Sequence, residues 1–296
     1  MSKEIKGIVV PVVTPFNEDE SLDESSLRQV VNYLLDNGVH GLFTSGSQGE
    51  SFALTSGEKK RIMDIVIDEN DGRAFVMAGT GAVTTKESIE LTRYAEDAGM
   101  DAVSVITPYF IKPSDEELRE HFLAIANAVE IPVLAYNNPG RTDVPLSAEL
   151  MAAVANEAEN FIGIKDSSGD LTNTMQYIAE CPPTFRTFMG RDTLIYAALC
   201  YGCVGAVAAS ANVAPDLAVG IYEAYMAGDH ELALERQRAL APLRYAFGLG
   251  SFPVVVKDAM ELIGVPAGPC RAPIKSLEGE AREELVAVLR NLGKLD

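Results

Sequence analysis

The chain has no tryptophan, three histidines and four cysteines. His40, His121 and His230 fall in separate segments, so no imidazole cluster is at hand for a catalytic metal, and none is expected. Four cysteines are too few for a disulfide framework in 296 residues. Cys200 and Cys203 form one C-x-x-C, but no second pair or nearby histidine completes a zinc site. Between Leu199 and Val204 both read as small buried hydrophobes. Basic residues are also scarce: 24 Lys+Arg face 43 Asp+Glu, a formal charge of −19. Such a surface repels nucleic acid and anionic membranes, which excludes both as expected partners. An anionic small molecule would need a local basic site against that field.

Other absences narrow the class further. No apolar run approaches the ~20 residues of a membrane span. The opening Met1-Ser2-Lys3-Glu4-Ile5-Lys6 lacks an apolar h-region and runs straight toward a strand. That predicts no signal peptide and a cytoplasmic protein. Val12-Val13-Thr14-Pro15-Phe16 after the first strand is not a dinucleotide fingerprint, and Gly79-Thr80-Gly81 lacks the third glycine. With no phosphate-binding G-x-x-x-x-G-K-[ST] either, no cofactor is expected.

What is present is regular alternation. Apolar strand candidates lie at 7–13, 41–44, 74–79, 102–107, 133–137, 161–165, 187–190 and 204–208, with helix-period segments between them. Thr84 before Glu87 and Ser114 before Glu117 have capping-box spacing, and Gly38 and Gly99 sit where helix-ending glycines belong. Eight strands, each followed by a helix, predict an α/β fold of the (β/α)8 TIM-barrel type over residues 1–212. Beyond that, 215–227, 230–247, 252–263 and 279–292 read as helices. They predict a C-terminal helical extension, 213–296, packed on the barrel.

In such a barrel function sits on the loops after the strands. The sixth strand, Phe161-Ile162-Gly163-Ile164, ends on Lys165. A lysine closing a buried apolar strand is costly to keep charged, and a neutral amine at a pocket mouth is a nucleophile for carbonyl carbon. Taken alone, Lys165 reads sooner as a strand-end lysine that snorkels into water, and what precedes it in the chain reverses that reading. The fifth strand supplies Tyr136 one strand away, a candidate general acid/base. The second ends in Gly46-Ser47-Gln48-Gly49-Glu50, where glycines let backbone N–H groups converge on an anion and Ser47 and Gln48 add donors. That loop contains no lysine, which favours a carboxylate over a phosphate.

These segments resemble the dihydrodipicolinate synthase / N-acetylneuraminate lyase family of pyruvate-dependent class I lyases and aldolases. The resemblance runs from Val10-Pro11-Val12-Val13-Thr14-Pro15-Phe16 through Gly46-Ser47-Gln48-Gly49-Glu50, Tyr136-Asn137-Asn138-Pro139 and Gly163-Ile164-Lys165-Asp166 to Ala211-Asn212-Val213-Ala214-Pro215. It implies that Lys165 forms an iminium with pyruvate, that Tyr136 and Ser47 move protons, and that Gly46 and Gln48 bind the pyruvate carboxylate. It also implies that Gly190 and Val207 wall the pocket, that Tyr109 and Phe110 stand at a subunit boundary, and that the protein is a homotetramer built as a dimer of dimers.

Departures from the pattern bear on the aldehyde partner. The synthase branch usually has Thr-Thr where this chain has Ser47-Gln48, and a relay tyrosine where it has Phe110. Tyr109 would substitute only if the loop backbone rotated. Arg141 in Gly140-Arg141-Thr142 points toward the synthase, as a guanidinium for the carboxylate of aspartate semialdehyde. Asp166, together with Gln48 and Phe110, points toward aldolases of 2-keto-3-deoxy or 4-hydroxy-2-oxo acids. The expected function is thus a Schiff-base lyase that joins pyruvate to, or releases it from, an aldehyde. A synthase of the lysine pathway heads the reading, with a sugar-acid aldolase as alternative. A barrel that binds a keto acid without catalysis is the remote third.

Overall fold

A computed structural model describes residues 4–296. Met1, Ser2 and Lys3, read above as the lead into the first strand, lie outside the described residues. Eight parallel strands close into a barrel in chain order, β1 (Gly7–Pro11), β2 (Gly41–Thr44), β3 (Phe75–Gly79), β4 (Ala102–Ile106), β5 (Val133–Asn137), β6 (Phe161–Asp166), β7 (Arg186–Met189) and β8 (Gly205–Val207). β8 pairs with β1 to complete the ring. The expected (β/α)8 barrel is therefore present, with strand ends displaced by one or two residues from the sequence reading. β1, for example, stops at Pro11.

Each face of the strands has its own reason to be apolar. Outward residues such as Ile8, Leu42, Val76 and Val103 pack under the surrounding helices in one continuous core. Inward residues, Val9, Phe43, Phe75, Met77, Leu134, Phe188 and Val207 among them, fill the barrel itself. Burying both faces explains why the strands read as unbroken apolar runs rather than as alternating ones. The filled interior leaves room only at the C-terminal end of the strands, where the loops open.

The helix caps follow the sequence with one correction. Ser114 and Glu117 form the reciprocal box expected, and Thr55 with Glu58 forms a second, unexpected one. Thr84 does accept from the Glu87 N–H, at 3.3 Å. The Glu87 carboxylate, however, turns to the Ser56 hydroxyl at 2.9 Å, so that box is only half made. Gly38 and Gly99 adopt φ of +75° and +89°, the left-handed turn that ends their helices.

After β8 the chain contains no further strand. Helices Pro215–Met226, His230–Ala246, Val254–Leu262 and Gly279–Asn291 follow, within a residue or two of the expected ranges. Among the described residues no single helix is long and apolar enough to cross a membrane. Cys203 is buried as expected, but Cys200 is exposed, because the short helix Ile195–Cys200 ends there and turns it outward.

Candidate active site

Strand register decides which side chains meet. Tyr136 on β5 stands opposite Lys165 on β6, and Lys165 opposite Phe188 on β7. Three neighbours at one level of a closed barrel point the same way, so Tyr136 and Lys165 project together into the open C-terminal end. The Lys165 Nζ sits 3.9 Å from the centre of the Tyr136 ring and 4.9 Å from that of Phe43. Both residues are 5% exposed. The amine is thus sheathed by aromatic faces and reaches solvent only through the cavity.

The Tyr136 hydroxyl is well furnished with partners. Asn138 Nδ2 donates to it at 2.9 Å. Burial pushes its acidity down, but the Lys165 charge opposes this, and hydrogen bonding from Ser47, Ser167 and Lys165 favours the phenolate. The net result lies below the usual tyrosine range. A phenol so placed can release and recover a proton more readily than a free tyrosine.

Ser47 reaches this group from a loop held under backbone strain. Ser45 and Glu50, on either side of it, adopt φ of +52° and +56°, unusual for residues with a Cβ. Between them Ser47–Gly49 makes one 3-10 turn whose opening N–H groups have no partner within the turn. Contacts from β1's loop and from the C-terminal helices hold the turn in place. The Thr14 hydroxyl donates to the Gly49 carbonyl at 2.7 Å. The Glu50 carboxylate accepts from Lys257 Nζ at 3.0 Å. Lys257 also donates to the carbonyls of Thr14, at 2.8 Å, and Pro269, at 2.6 Å, so its three protons are all placed. Lys257 and Glu50 are both fully buried. A residue from the C-terminal helices therefore fixes the loop that carries Ser47.

Of the other residues that border the cavity with Ser47, Tyr136 and Lys165, six matter for its chemistry: Gln48, Asn138, Arg141, Arg191, Asp192 and Arg244. The cavity volume is ≈ 260 Å³. That falls at or below the ~300–1,000 Å³ of pockets for drug-sized ligands and suits small acids. Gly190 and Val207 line it as expected. At Gly190 a Cβ would come within 2.0 Å of the Ser167 hydroxyl, so only glycine allows β6 and β7 to approach here.

Several residues singled out from the sequence take other positions. Gln48 donates its amide to the Pro253 carbonyl at 3.3 Å, so that its side chain is tied to the C-terminal segment while its backbone faces the cavity edge. Gly46 is the extended residue that opens the turn. Asp166 does not face the cavity at all. It follows Lys165 on a strand, where successive side chains alternate faces, and its carboxylate is enclosed by Asn137, Ser168 and Thr174. It cannot touch a substrate, so Asp166 does not select the aldehyde. Tyr109 and Phe110 are absent from the cavity lining. Phe110 is 99% exposed with φ of +72°, at the tip of the loop after β4.

Four contributors were not seen in the sequence. Asn138 and Ser167 serve Tyr136, and Arg191 and Arg244 border the cavity. Arg191 directly follows Gly190, and this strand-end position was the available signal. Arg244 comes from the helix His230–Ala246, far from any strand, and nothing local marked it.

Three comparisons place this geometry among known proteins. A family model described as the dihydrodipicolinate synthetase family matches residues 4–292. A 4-hydroxy-tetrahydrodipicolinate synthase of Methanopyrus kandleri is 41% identical over 296 residues, covering 100% of this chain and 99% of that one. An uncharacterized DapA-like lyase of Halobacterium salinarum is 40% identical, covering 98% of this chain and 95% of its own. Among solved structures, YagE from E. coli K12, a prophage protein of the dihydrodipicolinic acid synthase family in complex with pyruvate, superposes with a TM-score of 0.95. It is 33% identical, with 98% of this chain and 99% of that one covered.

Proposed function

The chain belongs to the dihydrodipicolinate synthetase family of pyruvate-dependent lyases, and from that premise we propose that it condenses pyruvate with aspartate semialdehyde through a Schiff base on Lys165. The observation that carries this reading is the placement of Lys165 beside Tyr136 at the floor of a small cavity. In the proposed course, the Lys165 amine adds to the keto carbon of pyruvate. Tyr136 passes a proton to the carbinolamine oxygen, water leaves, and an iminium remains. This cation drains electron density from the adjacent methyl, which returns a proton to the Tyr136 phenolate and leaves an enamine. The enamine carbon then bonds to the aldehyde carbon, whose oxygen takes a proton from Tyr136. Hydrolysis of the iminium restores the amine.

Ser47 relays protons to Tyr136 in this scheme. The N–H groups of the Ser47–Gly49 turn, with Gly46 and Gln48, bind the pyruvate carboxylate, while Arg141 receives that of the aldehyde. Gly190 and Val207 form the wall. We place the boundary between barrel and helical extension at residue 212. The protein acts in the cytoplasm as a homotetramer, a dimer of dimers, in which Tyr109 and Phe110 meet a neighbouring subunit. The exposed apolar tip of Phe110 and Ile111 supports that contact.

A second reading, an aldolase of 2-keto-3-deoxy sugar acids, is favoured by one observation. Phe110 has no hydroxyl to extend a proton relay, so Tyr136 and Ser47 must exchange protons within the subunit. Initial rates of pyruvate consumption with aspartate semialdehyde and with glyceraldehyde, using Lys165→Ala as the blank, decide between them. Faster turnover of aspartate semialdehyde is expected. Turnover of glyceraldehyde alone would assign the aldolase.

A further inference from the structure

We infer that Asp166, which lies behind the cavity wall, is a positioning residue for Schiff-base formation: with Asn137 it clamps β6 to β5 and so aims Lys165 and Ser167 at the Tyr136 hydroxyl. This rests on the Schiff-base reading above, but on neither choice of aldehyde.

The need for a clamp comes from strand register. Between β5 and β6 the pairing slips: Val133 stands opposite Phe161 but Leu134 opposite Gly163, so Ile162 is passed over. A slip of one residue exchanges the two faces of a strand. Carried on without it, the lower register would set Ile164, not Lys165, opposite Tyr136. Two bonds above the site hold the shifted register. Asn137 Nδ2 donates to Asp166 at 2.9 Å, across the pair that follows Tyr136 and Lys165. The Ser167 N–H donates to the Asn137 carbonyl at 2.8 Å.

The carboxylate is built into its place. Asp166 is fully buried. One of its oxygens accepts from Asn137 and from the Ser168 N–H, the latter at 3.0 Å. The other accepts from the hydroxyls of Ser168, at 3.0 Å, and Thr174, at 2.7 Å. Asn137 is held on its far side too. Its side-chain oxygen accepts from the Leu146 N–H at 3.1 Å, and its amide also reaches the Tyr177 hydroxyl at 3.2 Å. That hydroxyl donates in turn to the Leu146 carbonyl at 2.5 Å. Each side-chain oxygen and nitrogen of Asn137, Asp166 and Tyr177 has a partner, and a satisfied buried network fixes one arrangement.

The effect reaches the cavity through alternation. Lys165 and Ser167 flank Asp166 and both line the cavity. Both also favour the Tyr136 phenolate by hydrogen bonding. The bonds from Ser168 to Asp166 fold the chain back over Ser167, while the Asp166 carbonyl accepts from the Gly190 N–H at 2.7 Å. Anchoring one outward side chain thereby sets the two inward ones. The role is geometric rather than electrostatic, and that makes it separable.

The test is pyruvate capture under single turnover, quenched with borohydride at timed intervals and read by intact mass. It compares the native protein with Asp166→Ala, Asp166→Asn and Thr174→Val. Asp166→Ala should lower the saturating rate by about 10- to 100-fold, the cost of a small misalignment of reacting groups. The pyruvate concentration giving half that rate should stay within about twofold of native, as for an interaction realised only in the transition state. The Ser47–Gly49 turn, which takes the pyruvate carboxylate in this reading, is held by other contacts. Asp166→Asn should recover most of the rate. Its amide oxygen can accept from Asn137 and Ser168, and its amino group can donate to the two hydroxyls, which accept as well as donate. Thr174→Val removes a neighbouring bond but spares the link to Asn137, and should keep the native rate. If Asp166→Ala does not fold, Asn137→Ala, which cuts the same link from the other strand, takes its place under the same criteria.

A native rate in folded Asp166→Ala, no recovery in Asp166→Asn, an equal loss in Thr174→Val, or a loss confined to the half-saturating concentration overturns the inference. A native protein that captures no pyruvate refutes the Schiff-base reading and this inference with it. One that captures pyruvate at a rate indifferent to Asp166 refutes this inference alone.

Discussion

Lys165→Ala should lower the rate of pyruvate consumption by about 10⁴-fold or more with every aldehyde, the order of loss that follows removal of a covalent nucleophile. No other amine can replace it. Arg141, Arg191 and Arg244 border the same cavity, but a guanidinium stays protonated and does not attack carbonyl carbon. Lys257 is fully buried, with all three protons committed to Glu50, Thr14 and Pro269. Tyr136→Phe should cost about 10²- to 10⁴-fold, the range for loss of a general acid/base. The two variants therefore differ in kind. Tyr136→Phe retains a nucleophile and should still be trapped by pyruvate and borohydride, though slowly, while Lys165→Ala should not. Single-turnover trapping followed by intact-mass measurement checks both. Equal trapping in the two variants would mean that the covalent residue lies elsewhere.

The second large effect concerns a pair outside the cavity. Lys257→Met should destabilise the fold by about 3–5 kcal/mol, because it strands the Glu50 carboxylate in the interior without its cation. Restoring neutrality should recover much of that loss, so Glu50→Gln/Lys257→Met should be more stable than Lys257→Met alone. Urea unfolding of the three proteins measures this ordering. The pair also anchors the turn that carries Ser47. Below the unfolding transition, both variants should show a raised KM for pyruvate. Unchanged KM in a destabilised variant would show that Thr14 and the local strain hold the turn unaided.

The fold was legible because its signals are local and repeated. Buried strands, capping residues such as Ser114 and helix-ending glycines such as Gly99 recur at barrel spacing, and each is readable over a few residues. Lys165, Tyr136 and Ser47 were legible for a related reason, since strand ends in a barrel converge by construction. Two errors trace to rules applied incompletely. Period-two alternation, once Lys165 is taken as inward, sends Asp166 outward, so it had no claim as a specificity residue. Arg191 stood one residue after Gly190 and was passed over. Arg244 is different in kind. Its arrival at the cavity depends on how the helix His230–Ala246 packs across the barrel mouth, a long-range contact that no nearby residue announces. The same holds for Lys257, whose partner Glu50 is 207 positions away in the chain.

Charge shows the same division between composition and placement. The excess of acidic residues implies that an anionic substrate needs a local basic site, and Arg141, Arg191 and Arg244 border the cavity. Composition could not say that the site would draw on β5, β7 and the C-terminal helices at once, or that Phe247 and Phe252 would stack beneath two of the guanidiniums.

The most direct test of a Schiff base on Lys165 is to incubate the protein with pyruvate, reduce with borohydride and map the modified peptide by mass spectrometry. The account predicts one reduced pyruvyl adduct per chain, on Lys165, absent without pyruvate and absent from Lys165→Ala. An unmodified Lys165 peptide, or an adduct that persists in Lys165→Ala, would contradict it.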